Sequence, residues 1–178
     1  MNKKDTVVFD LDGTLLDTLE DLKNSVNYAM TQCGYPEHTL DEVRRYVGNG
    51  ILLLMQRAIP GGKDDPNFDK AFTLFKEHYG KHCNDTTKPY AGIMELLHTL
   101  KENNIKIAIV SNKADFAVKE LNAIYFKDLI LVAIGEKESE GIRKKPAPDT
   151  VIEALKQLGS TAENSVYIGD SDVDIETA

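Results

Sequence analysis

The sequence predicts an α/β fold, a parallel sheet with crossover helices into which an α-helical segment is inserted. Three observations predict it. Short apolar runs of strand length recur along the chain. Amphipathic segments of helix length lie between them. One long interval carries helical patterning with no convincing strand. The 178 residues suffice for one α/β domain, or for a core domain with a small insertion. A hydrophobic content of 42% excludes a wholly disordered chain.

In chain order, "TVVF" (Thr6 to Phe9) is the first predicted strand, a continuous apolar run of the kind that a sheet covered on both faces requires. From Leu16 to Lys88 the pattern turns helical. "LEDLKNSVNYAMTQCG", "DEVRRYVG", "ILLLMQRAI" and "FDKAFTLFKEHYGKH" read as helices, while "GYPEHTL" and "PGGKDDP" read as loops. Asp41 is placed to help start the second helix. After "KPYAG" the core resumes. "GIMELLHTLKENN" sets Ile93, Leu96, Leu97 and Leu100 at helical spacing, and "IKIAIV" (Ile105 to Val110) is a second strand. "LILVAI" (Leu129 to Ile134) is a weaker strand candidate. "DTVIEALKQLG" is a helix with Gly159 at its C-cap, and "SVYI" (Ser165 to Ile168) is a third strong strand. The expected organisation is an α/β core of residues 1–15 and 89–178 with a helical cap of residues 16–88. Two connections to the core would let that cap move as a hinged lid.

The net charge of -8 and sequence pI of about 5.0 disfavour nucleic acid as the main partner. A small phosphorylated substrate stays open, because a local metal or lysine reverses the local field. Two cysteines without a CxxC pattern, no N-terminal signal pattern, and no apolar stretch near the length of a membrane span lead to the expectation of a soluble cytoplasmic protein.

Each strong strand ends in polar residues: Asp10 and Asp12 after the first, "SNK" (Ser111 to Lys113) after the second, and "GDSDVD" with Asp170, Asp172 and Asp174 after the third. In an open parallel sheet, the carboxyl ends of the strands form the ligand crevice. Carboxylates gathered there need a cation, and an all-oxygen donor set suits Mg²⁺. One carboxylate of such a site can attack phosphorus, and a neighbour can move protons. Other residues suggest less. His78 and His82 stand four apart beside Cys83, a spacing that could hold zinc, but no second ligand cluster accompanies them and packing is the favoured reading. "VGNG" reads as a helix boundary, and Asp172 as a solvent-exposed residue.

The motifs "DLDGTLLDT", "SNK", "KKPAPD" and "GDSDVD" stand in the order found in the haloacid dehalogenase-like hydrolases, which this chain resembles over essentially its whole length. The inserted segment resembles the helical cap of the phosphoglycolate phosphatase-like branch, on "RRYVGNGI" and "KPYAGI". The resemblance implies a Rossmann-like core and a Mg²⁺-dependent phosphatase acting through an aspartyl phosphate. It makes Asp10 the nucleophile and Asp12 the general acid and base. Ser111 would bind a phosphoryl oxygen, and Lys145 would steady Asp10, with the adjacent Lys144 the alternative for that role. Asp10, Asp12 through its backbone carbonyl, Asp170 and Asp174 would serve the metal. Thr14, Asn112, Lys113, Arg44, Gly48 and Asn49 are the expected substrate contacts, with Arg45 beside Arg44 as a further cation for a substrate carboxylate. The expected substrate is a small phosphorylated metabolite, foremost 2-phosphoglycolate. Pyrophosphate and sugar phosphates (hydrolysed or isomerised) are the alternatives within the family, and a receiver-like phosphoaspartate domain is the alternative outside it. Dehalogenation is disfavoured by the presence of Asp12. Oligomeric state stays open. Family members continue through a further strand and helix beyond the point reached at "DIETA", so one flank of the sheet is expected to be missing.

Overall fold

The computed structural model describes residues 4–178. They fall into two compact units, one formed by Asp17–Lys88 and the other by the chain on either side of it.

The α/β unit is built on four parallel strands: β1 (Thr6–Phe9), β4 (Lys106–Ala114), β5 (Val132–Glu136) and β6 (Ser165–Ile168), in the order β5-β4-β1-β6. Two short strands, β2 (Leu16–Asp17) and β3 (Lys88–Pro89), pair with each other where the chain passes between the units. In β1, Val8 stands opposite Ala108 on one side and Tyr167 on the other. Because side chains alternate along a strand, the apolar run of β1 feeds two layers. Val7 and Phe9 join Ile107 and Ile109 in a core closed by Leu97 of α5 (Ile93–Glu102) and Val118 and Leu121 of α6 (Asp115–Tyr125). Val8 joins Ala108 and Val110 against Ala154 and Leu155 of α7 (Asp149–Leu158). Burial on both faces is what a continuous, non-alternating apolar strand requires.

The helical unit contains α1 (Leu19–Gln32), α2 (Leu40–Tyr46), α3 (Ile51–Ala58) and α4 (Phe68–His82). Its core gathers Leu22, Val26 and Met30 of α1 with Met55 of α3 and Phe75 and Tyr79 of α4. Truncating a fully buried aromatic such as Phe75 to alanine costs about 3–5 kcal/mol.

Several elements differ from the sequence expectation. Helix α2 is started by Thr39, whose hydroxyl accepts from the Glu42 N–H while Glu42 accepts from the Thr39 N–H; Asp41 only adds negative charge to the first turn. Strand β5 begins later than Leu129, because the Leu129 and Ile130 N–H groups are taken by the Phe126 carbonyl as α6 unwinds. Strand β4 does not stop at Val110. It continues through "SNK" with a register shift between Val110 and Ala114. Helix α6 has no sequence counterpart among the expected elements. It begins directly at the end of β4 with Ala114 at its N-cap and no side-chain cap, so the usual start signal is missing. Gly159 does end α7, in the left-handed conformation at φ 61°.

Candidate active site

The carboxyl-terminal parts of β1, β4 and β6 carry the polar residues: Asp10 and Asp170 follow β1 and β6, and Ser111 begins the irregular last part of β4. The Asp10 N–H donates to the Ile168 carbonyl at 2.8 Å, tying the first motif to the end of β6. Leu11 then turns into the core, fully buried, and its carbonyl accepts from the N–H groups of Leu15 and Leu16 at 3.0 Å each. That tight turn sends Leu11 into the apolar core between Asp10, which is buried among polar groups, and Asp12, which is partly exposed. Gly13 permits the turn with φ 85°, and a Cβ there would fall on the Asp170 carboxylate.

Asp10 is 8% exposed, and Lys145 Nζ lies 3.0 Å from its Oδ1. This is a charge contact; Oδ1 is buried without a well-aligned hydrogen bond. Burial, opposed by Lys145 and assisted by the charges of Asp174 and Asp12, raises the Asp10 carboxyl to about 6. Asp12 is paired with Lys113 at 2.9 Å, and Lys113 is itself buried.

Lys145 is the buried lysine of the adjacent pair. Its neighbour Lys144 is half-exposed and pairs with Glu138. Lys145 Nζ donates to Asp174 Oδ1 at 2.6 Å and to Tyr167 Oη at 3.0 Å. Its main chain is clamped by Asn112, whose Nδ2 donates to the Lys145 carbonyl and whose Oδ1 accepts from the Lys145 N–H. Asn112, expected at the substrate, is thus placed as a tie between β4 and the lysine motif. Ser111 is buried at the end of the regular part of β4, and its Oγ accepts from the Lys113 N–H at 3.3 Å.

Asp174, on α8 (Asp172–Thr177), accepts four hydrogen bonds. Oδ1 receives Lys145 and Tyr167, and Oδ2 receives the Ser171 N–H at 3.1 Å and the Ser171 hydroxyl at 2.6 Å. Burial works against its charge, yet the bonds from Lys145 and Ser171 hold its carboxyl below the usual range. Gly169 leaves room for it, since a Cβ there would overlap the Asp174 carboxyl. Asp170 is exposed and accepts from the Thr14 hydroxyl at 3.0 Å.

Carboxylate oxygens of Asp10, Asp170 and Asp174 lie within 4.8 Å of one another, and among the described residues no other three His, Cys, Asp or Glu side chains converge so closely. The donor set fits a hard divalent cation: all oxygen, with a buried Asp10 oxygen lacking a hydrogen bond. Asp174, with its acceptor positions already filled, is the weakest donor of the three and the principal anchor of Lys145.

The remaining expected residues lie in the helical unit. Arg44 pairs with Asp41 at 2.6 Å, and Arg45 Nε donates to the Asp41 carbonyl. Asn49 Oδ1 accepts from Arg57, and Gly48 has φ 109° at the approach to α3. His78 stacks between Tyr28 and His82 with Nδ1 3.0 Å from Ser25 Oγ, while His82 pairs with Asp85. Two residues of the acidic cluster had escaped the sequence. Tyr167 reads as one more strand residue in "SVYI". Ser171 carried a usable signal, because S-x-x-D at Ser171–Asp174 is a capping-box spacing.

A family model described as haloacid dehalogenase-like hydrolase matches residues 7–178. The phosphoglycolate phosphatase of Aquifex aeolicus is 33% identical over 174 residues, which is 96% of this chain and 78% of that relative. The phosphoglycolate phosphatase of Pseudomonas putida is 32% identical over 178 residues, and the match spans 97% of this chain but only 64% of that relative. Among solved structures, one from Lactobacillus delbrueckii subsp. bulgaricus superimposes with a TM-score of 0.88 at 34% identity, covering 98% of this chain and 82% of the other. A predicted phosphoglycolate phosphatase from Haemophilus somnus also reaches 0.88, at 27% identity and with 99% and 81% covered.

Proposed function

Since the chain belongs to the haloacid dehalogenase-like hydrolases, we propose that it hydrolyses a small phosphate monoester, foremost 2-phosphoglycolate, through a phosphoryl group carried on Asp10. The observation that carries the chemistry is the environment of Asp10: a buried carboxylate whose Oδ1 makes no well-aligned hydrogen bond and faces Lys145 at 3.0 Å, with a second acid two residues on.

In this reading Asp10 attacks phosphorus and the ester oxygen leaves. Asp12 donates the proton to that oxygen, then takes one from the water that cleaves the aspartyl phosphate. Lys113, 2.9 Å from Asp12, holds that side chain in place and supplies a buried positive charge next to the reacting group. Ser111 offers its hydroxyl to a phosphoryl oxygen. Lys145 offsets negative charge on Asp10 and on the phosphoryl group. Asp10, Asp170 and the Asp12 carbonyl would hold Mg²⁺, with Asp174 acting through Lys145 and Thr14 orienting Asp170. When bound, Mg²⁺ supplies the charge neutralisation that three clustered carboxylates and a phosphate dianion require.

The choice of 2-phosphoglycolate is supported by the names of relatives near one-third identity and by the cationic candidates Lys113, Arg44 and Arg45 for its carboxylate. No helix among the described residues is long and apolar enough to cross a membrane, and the two free cysteines suit a cytoplasmic enzyme. The test is kcat/KM with Mg²⁺ for 2-phosphoglycolate, pyrophosphate and hexose phosphates, because that ratio measures transition-state discrimination. A clear preference for 2-phosphoglycolate is expected, and a stronger one for pyrophosphate would replace this substrate.

A further inference from the structure

Lys145 is asked to do something demanding: stay charged, buried and beside Asp10 while a second carboxylate, Asp174, competes for it at 2.6 Å. An ammonium on a flexible four-carbon stem has no fixed orientation of its own, so its acceptors set where its three hydrogens point. Two acceptors are Asp174 Oδ1 and Tyr167 Oη, and the Asp10 oxygen lies at 3.0 Å. Tyr167 closes the arrangement by donating its own hydrogen to Asp174 Oδ1 at 2.9 Å.

We propose that Tyr167 is a positioning residue of this site: its hydroxyl, accepting from Lys145 and donating to Asp174, holds the lysine ammonium against the nucleophile Asp10. The inference rests on the reading of Asp10 as nucleophile given above. A phenol suits the place for three reasons. It takes one ammonium hydrogen without adding a negative charge that would draw Lys145 away from Asp10. It fills an acceptor position on Asp174 that would otherwise be left to the lysine. It also remains a donor, because burial, and after it the charges of Asp10 and Asp174, oppose its ionisation. Strand register places the Tyr167 backbone beside Val8 on β1, two residues before the nucleophile, and the bonds to Lys145 and Asp174 hold the hydroxyl.

The test is Tyr167→Phe in the full chain, which keeps the ring and removes only the hydroxyl, with Tyr167→Leu as the packing comparison. Loss of hydrogen bonding to a charged group corresponds to about 1.5–3 kcal/mol, or roughly a ten- to hundred-fold change. We expect Tyr167→Phe to lower kcat toward p-nitrophenyl phosphate by that factor, with KM changed less than about two-fold. A role in packing alone would leave Tyr167→Phe at wild-type kcat and impair only Tyr167→Leu. A second readout needs no turnover: in the metal-free crystal structure of Tyr167→Phe, Lys145 Nζ should leave Asp10 for Asp174, beyond about 3.5 Å from Asp10 Oδ1. An active wild type with an unchanged kcat in Tyr167→Phe overturns the inference, and so does an unmoved lysine. A wild type inactive toward all phosphate esters overturns the proposed function instead, and the crystallographic readout still decides the role of Tyr167.

Discussion

Asp10 and Asp12 are separated by one residue yet differ in their surroundings. Asp10 faces Lys145 and lacks a hydrogen bond at Oδ1, whereas Asp12 is held by Lys113. The two carboxylates can therefore take different parts, one as nucleophile and one as proton carrier. Asp10→Asn should abolish turnover while leaving the fold intact, because an amide is no anionic nucleophile. Near-wild-type hydrolysis by that variant, in a steady-state assay with Mg²⁺, would rule out the covalent route. Asp12→Asn should phosphorylate Asp10 slowly from substrates with poor leaving groups but still release a burst of p-nitrophenolate, whose oxygen needs no proton, before the later hydrolysis by water, common to all substrates, stalls. An equal loss in the phosphorylating step for both kinds of leaving group would remove Asp12 from the role of general acid. At this scale the sequence was informative: Asp10, Asp12, Ser111, Asp170 and Asp174 stand in motifs at the ends of predicted strands, and Lys145 stands in the basic stretch before the third. Tyr167 was hidden, since a tyrosine in a strand carries no sign of where its hydroxyl ends.

Among the elements, the base of the helical unit depends on one buried acid. Asp21, in the first turn of α1, accepts from the N–H and hydroxyl groups of both Thr86 and Thr87, just before β3. It thereby joins the start of the unit to its end. Burial pushes the Asp21 carboxyl up, but the hydrogen bonds from Thr86 and Thr87 outweigh it and hold it below the usual value. A depressed folded-state value stabilises the fold above the unfolded-state value, near 4, and the contribution is lost as pH falls below it. Asp21→Asn should lower stability at neutral pH by about 1.5–3 kcal/mol, the scale of hydrogen bonds to a charged group. The loss should shrink in acid, because the carboxyl takes up its proton first in the unfolded chain and only at lower pH in the folded one; denaturant unfolding at pH 7 and pH 3 checks this, and an equal loss at both would contradict it. A second element is the turn between β6 and α8. Gly169→Ala would drive a methyl into Asp174 and displace the anchor of Lys145. Activity should fall far more than thermal stability, and the reverse order would show that Gly169 serves the fold alone. Helix and strand identities were mostly legible from periodicity. Two of the departures, α6 and the start of β5, fall where a helix begins or ends with no capping side chain or breaker to mark it.

For the whole molecule, the clustered carboxylates would link binding of a divalent cation to stability. A cation held by Asp10 and Asp170 would relieve repulsion in the native state and have no equivalent site in the unfolded chain, so Mg²⁺ should raise the unfolding midpoint. A hundred-fold excess over the dissociation constant corresponds to about 2.7 kcal/mol. Asp170→Ala should lose that response, and an undiminished Mg²⁺ effect in the variant would place the ion elsewhere. The sequence by itself determined the parallel α/β core, the helical insertion, the ends of β1 and β6 as the candidate site and the residue types available there. Those follow from local rules, because apolar periodicity and strand-end carboxylates are written in consecutive residues. Only the tertiary structure decided which lysine is buried beside Asp10, that Asn112 clamps that lysine, that Asp174 is already filled by four donors, and that Tyr167 sits between them. These are through-space pairings of residues far apart in the chain. They depend on strand order and register, which bring the end of β6 next to the end of β1, and no local pattern records which side chains then meet.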